Sequence, residues 1–96
     1  MKSSELEPLF RYAQQFLDTA RGSITIDEFR VYMRNLDEDA STLSDSTVAG
    51  RIKAAIHSAK SCDYILRTNP QMKERVILPA IEKLVGVIAN ELQGSN

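Results

Sequence analysis

The side chains with the most chemistry to offer lie in one run near the middle of the chain. Lys53, His57, Lys60, Tyr64 and Arg67 recur at spacings of four, three, four and three. On a helix each residue turns by about 100°, so this spacing draws all five onto one stripe. Three permanent cations, an imidazole and a phenol ring on one stripe make a surface for phosphates or for an acidic partner helix. These five are the expected partner-binding residues.

The same run offers little to catalysis. The one histidine, His57, and the one cysteine, Cys62, are five residues apart. That separation points them about 140° apart on a helix, so they do not form a nucleophile and base within it. Cys62 falls on the apolar side of the helix and reads as a small core residue. No P-loop, dinucleotide fingerprint or HExxH run occurs. One junction has the outline of a calcium loop. Gly22, Ile24, Glu28 and Phe29 fall at its glycine, hydrophobic, last-ligand and aromatic positions. Its early ligand positions hold Leu17, Thr19 and Arg21, whereas calcium needs oxygen there. The acidic cluster Asp37, Glu38 and Asp39 reads as a solvated loop. The expectation is a protein that is not an enzyme, with no cofactor and no metal.

The stretch STLSDSTVAGRIKAAI resembles the recognition helix of helix-turn-helix regulators, in which a Ser/Thr-rich turn precedes a basic amphipathic run. The resemblance covers about twenty residues. It implies DNA contact by Ser46, Thr47 and Arg51, with Lys53 beside them, because the start of that helix enters the major groove. One feature departs from the family. With the preceding helix ending near Leu36, the stretch Asn35 to Asp45 is longer than a turn of about three or four residues. The "STV … NP" run is also similar to one in the N-terminal helical domain of phage-type integrases. That likeness covers a helix and none of the catalytic domain, so it implies no activity.

These residues must be positioned by helices. The chain has 96 residues, 43% hydrophobic and 26% charged, which is ordinary globular composition for one domain. A domain this size buries about two-thirds of its unfolded surface, enough for a single core. One cysteine allows no internal disulfide, which suits a reducing cytoplasm. No apolar run approaches the roughly 20 residues of a membrane span, and the N-terminus does not read as a signal peptide. The net charge is −1 but uneven. Residues 1–45 carry nine acids and five bases, and residues 46–96 carry four acids and seven bases.

Apolar periodicity predicts four helices. The first spans 4–20, with Ser4 and Glu7 at capping-box spacing and Leu6, Leu9, Phe10, Ala13, Phe16, Leu17 and Ala20 inward. The second spans 25–36, started by a Thr25–Glu28 box, burying Phe29, Met33 and Leu36 and carrying Arg30 and Arg34 on another side. A loop over 37–45 follows, with Leu43 as its apolar anchor. The third helix spans 45–68 and buries Val48, Ile52, Ala55, Ile56, Ala59, Cys62 and Leu66. Asp63 falls close to that stripe and needs a partner if buried, with Arg67 the nearest candidate. The fourth spans 70–93 and is kinked at Pro79, which cannot donate to the carbonyl of Arg75.

The fourth helix has the widest apolar face. Ile77, Ile81, Leu84, Val85, Ile88 and Leu92 form its centre, and Val76, Ala80 and Val87 widen one side. The face covers about twice the 100° stripe that one packing surface needs. It is therefore touched from two sides within one chain, or packs on its own domain and on a second copy. The expectation is an all-α bundle of four helices. It would serve as a small cytoplasmic adaptor or regulator that binds a protein partner, with Val76, Ala80 and Val87 at a homodimer interface. The alternative is a DNA-binding regulator using the third helix.

Overall fold

Side-chain caps start two of the helices. Thr25 Oγ1 accepts from the Glu28 amide at 3.1 Å, and Glu28 Oε1 accepts from the Thr25 amide at 2.9 Å. This reciprocal pair is the expected box. Asp45 Oδ1 accepts from the amides of Thr47 at 2.9 Å and Val48 at 3.2 Å. Both arrangements satisfy amides that a helix start leaves without a partner. Ser4 behaves otherwise. It already lies inside the first helix, and Glu7 accepts from Arg11 at 3.0 Å.

The structure is a computed structural model, and it describes residues 3–94. Among these residues five α-helices follow one another: α1 Ser3–Gly22, α2 Ile26–Ser41, α3 Ser46–Ala59, α4 Cys62–Thr68 and α5 Leu78–Gly94. No strand occurs among the described residues. A short 3-10 turn, Pro70–Met72, and one π turn, Lys73–Ile77, lead into α5. Helices α3 and α4 fill the span of the expected third helix, and the two turns with α5 fill that of the fourth. The fold is the expected all-α arrangement with a long, kinked last helix.

Three local differences have physical causes. First, α2 runs to Ser41, five residues past the expected end, and takes in Asp37, Glu38 and Asp39. Ala40 extends the buried series Phe29, Met33 and Leu36, so the core contact continues through the acidic run. Ser41 Oγ and Thr42 Oγ1 donate to the carbonyls of Asp37 and Asp39, satisfying acceptors at the helix end. The connection to α3 is therefore only Thr42 to Asp45. Second, the third helix is interrupted at Lys60 and Ser61. Both keep right-handed helical angles, and the Lys60 amide is shared between the carbonyls of Ile56 and His57. The interruption is a tightened turn, and the buried stripe crosses it from Ala59 to Cys62. Third, the irregularity around Pro79 lies in the turn before it. The Leu78 amide donates five residues back, to the carbonyl of Lys73. This wider turn fits beside a proline that donates nothing to Arg75.

The core explains the width of the last helix. Ile77, Ile81, Leu84 and Ile88 are buried, and α5 packs most extensively on α1 and also on α3. The helix is touched from two sides within the chain. The α1 stripe meets it with Leu6, Leu9, Ala13, Phe16, Leu17 and Ala20, all buried. Helices α1 and α2 are joined by aromatic contacts. The Phe16 ring stacks on Tyr32 with centroids 4.8 Å apart and meets Phe29 edge-on at 5.5 Å. Leu43 packs against the core from the connection, as expected. Among the described residues no helix is long and apolar enough to cross a membrane.

Candidate interaction surface

The five stripe residues are divided by the turn at Lys60 and Ser61. Lys53, His57 and Lys60 lie along α3 and at its end, and Tyr64 and Arg67 lie on α4. Lys53 is half-buried and donates from Nζ to Ser41 Oγ at 2.7 Å, which ties it to the end of α2. His57 and Lys60 are exposed. Tyr64 is 63% exposed, and the Arg67 guanidinium lies 5.8 Å from its ring centre. That spacing is within reach of a cation–π contact. The stripe is therefore two separate parts joined at Lys60.

Asp63 sits at the junction and is held from two helices. Arg30 of α2 donates to both its carboxylate oxygens, at 2.8 and 3.2 Å, and Arg67 approaches at 3.4 Å. The expected partner, Arg67, is present, but Arg30 is the closer one. Its hydrogen bonds, with the nearby positive charge, hold the Asp63 carboxyl below its ordinary range and raise Arg30. This pair fastens α4 against α2.

A groove opens beside that pair. Phe29 and Met33 form its floor, and Arg30, Arg34, Asp37, Lys60 and Asp63 line its sides. Both floor residues belong to the buried core, so the groove exposes only the edges of their side chains. The methylene stems of the arginines and the lysine continue its apolar wall. The side chains of Arg34 and Lys60 are exposed and form no ion pair or hydrogen bond within the described residues. Sequence reading placed Arg30 and Arg34 together on one side of the second helix. Nothing in the sequence showed that this side faces the end of the basic stripe.

The start of α3 is arranged differently. The connection from α2 is four residues, which removes the length objection to a helix-turn-helix resemblance. Its chemistry is nevertheless acidic. Asp45 caps Thr47, Glu5 accepts from the amide and hydroxyl of Ser44 at 3.0 and 2.8 Å, and Ser46 lies between them in sequence. Arg51 donates to both oxygens of Glu91 on α5, at 2.5 and 2.9 Å. These bonds hold the Glu91 carboxyl below its ordinary range and raise Arg51. The Glu91 side chain is only 15% exposed, so Arg51 is committed to α5.

On the last helix, Val76, Ala80 and Val87 are partly buried against the chain's own core. Ala80 also borders a small cleft between α3 and α5, with Ala55, Ala59 and Leu84. His57 is exposed, whereas Cys62 is buried and burial pushes its thiol up. The two do not share a site. Among the described residues no group of three metal-ligating side chains comes together.

Comparison with protein-family models, with curated proteins and with solved structures gives no match to the chain.

Proposed function

We propose that the chain is a small non-catalytic adaptor or regulator that acts by binding another protein through α4 and the adjoining end of α3. The observation that carries this reading is Tyr64. A phenol ring 63% exposed, with Arg67 against its face and Lys60 one turn away, is an amphipathic anchor of the kind that binding surfaces use. Its neighbours Lys60 and Arg67 supply positive charge, and the acidic run of α2 helps bring the whole chain to a net charge of −1. The single buried thiol suits the reducing cytoplasm in which we place the protein.

Self-association through Val76, Ala80 and Val87 is a second arrangement, favoured by the small-residue cleft between α3 and α5. DNA contact by Ser46, Thr47, Arg51 and Lys53 is favoured by the four-residue turn and opposed by the pairing of Arg51 with Glu91.

Photo-crosslinking separates these readings. A benzophenone amino acid is placed at Tyr64, at Val87 or at Arg11 and irradiated in the source cells. A discrete heterologous adduct from position 64, absent from position 11 and lost in Lys60→Glu, is the expected result. Adducts from position 87 at twice the chain mass would favour the dimer. Equal adducts from positions 64 and 11 would remove the surface from consideration. Labelled duplex DNA, titrated from low to physiological salt, tests the third reading by whether binding is lost steeply with salt.

A further inference from the structure

From the groove between α2 and the α3–α4 turn, we infer the chemistry of the partner: an acidic peptide segment carrying one large apolar side chain. This rests on the proposed protein-binding role. The apolar side chain lies against Phe29 and Met33, and its flanking carboxylates pair with Arg34 and Lys60.

Three features select this occupant. The floor is carbon, and Met33 is a side chain that adapts its shape to what lies against it. The rim cations Arg34 and Lys60 have side chains without an internal partner among the described residues, so engaging them breaks no pair seen there. Arg30, by contrast, is held by Asp63 and serves as a wall. The same rim also carries Asp37 and Asp63, whose charges repel a continuous polyanion. A peptide can place its carboxylates beside Arg34 and Lys60 and keep neutral groups beside the two aspartates. A nucleic-acid backbone cannot choose in that way, because its phosphates are evenly spaced. Tyr64 lies one turn beyond Lys60 and Arg67 about two, and they extend the surface along the bound segment.

The test uses the full chain as bait for a displayed library of random dodecamer peptides at physiological salt. The expected peptides are enriched in Asp and Glu around one Phe, Leu, Ile or Trp. Their synthetic versions should shift the amide resonances of Phe29, Met33, Arg34 and Lys60. Arg34→Glu combined with Lys60→Glu should weaken them by at least about tenfold. Both residues are exposed, so far-ultraviolet circular dichroism should be unchanged. Arg11→Glu, on α1, should leave binding as it was. Basic or uncharged peptides, shifts confined to α1, or equal binding by the double reversal would overturn the inference. Recovery of no peptide, with duplex DNA binding that the double reversal abolishes, would overturn it too and assign the groove to nucleic acid. A crosslink from position 64 that persists while selected peptides map elsewhere would sink the groove alone. Loss of both would sink the protein-binding role with it.

Discussion

Truncating Ile81 to alanine tests the claim that the last helix is central within one chain. Ile81 is fully buried, on a helix that packs against both α1 and α3. The change removes three carbon groups. At about 0.8 kcal/mol each, the transfer loss is about 2.4 kcal/mol. Neighbours from two helices cannot both close the gap, so a cavity penalty raises the cost to about 3–4 kcal/mol. A domain of this length has roughly 5–14 kcal/mol of stability, so the variant should still fold. Its unfolding entropy is about 0.2 kcal/mol per degree, which makes the loss roughly 15–20 °C in Tm. The control is Val87→Ala, which removes two carbon groups at a half-buried position. Partial exposure and the better helix propensity of alanine bring its cost to about 0.5 kcal/mol. Urea titration followed by far-ultraviolet circular dichroism is the assay, since the chain has no tryptophan to report by fluorescence. A cost below about 1.5 kcal/mol for Ile81→Ala would refute the central placement. So would a Val87→Ala cost equal to it. A Val87→Ala cost that grows with protein concentration would instead show that this flank is covered by a second copy.

Three further outcomes follow from the same geometry. Asp45→Ala should cost about 1 kcal/mol in urea titration, because one side-chain oxygen caps two amides at the start of α3. Acid should weaken the fold through Asp63 and Glu91. Both carboxyls titrate lower in the folded chain than in the unfolded one. Their stabilisation is therefore present above the ordinary carboxylate range of roughly pH 4 and is lost as pH falls through the lowered folded values. Urea midpoints from neutral pH downward should show this decline, and Asp63→Asn with Glu91→Gln should flatten it. Cys62 should react with an aromatic disulfide reagent only as fast as the chain opens, since the thiol is buried and pushed away from thiolate. Rapid, stoichiometric labelling under native conditions would show that the α3–α4 turn is open.

Short-range rules were readable where the physics is short-range. The Thr25–Glu28 box needs only two side chains three residues apart, and it forms as expected. The apolar period of α1 sufficed to place its core residues. The end of α2 was missed because three adjacent acids read as a loop. A helix tolerates them when a small residue beyond them still reaches the core, and Ala40 does so. The break at Lys60 and Ser61 had no Pro or Gly to mark it, and the backbone there stays in the helical region. Arg67, one turn from Asp63, was readable as a partner, but the long-range partners of Asp63 and Arg51 were not. Arg30 lies 33 residues from Asp63, and Glu91 lies 40 residues from Arg51. Such pairs exist only once the helices are packed.

Those long-range pairs decide which of the sequence's basic residues remain for a partner. An arginine already bound to a carboxylate must lose those bonds before it can serve another anion, and the abandoned carboxylate then repels the newcomer. By that criterion Arg51 is poorly placed for phosphate, although the turn before it has the length that a recognition helix requires. Arg11, Arg21, Arg30 and Arg67 also face carboxylates, while Lys53 and Lys73 are tied to a hydroxyl and a backbone carbonyl. Among the described residues the side chains of Arg34, Lys60, Arg75 and Lys83 have no such commitment, and of these Arg34 and Lys60 come together, from α2 and from the α3–α4 turn, to line one groove. The Arg30–Asp63 pair spans α2 and α4 beside that groove, so its loss should let the two helices move apart and the groove change width. Asp63→Ala should thus weaken an acidic peptide's binding, although it removes a negative charge from the rim. Loss of the aspartate alone would strengthen an anion's binding. Weakened binding would show that position, not charge, is what Asp63 contributes.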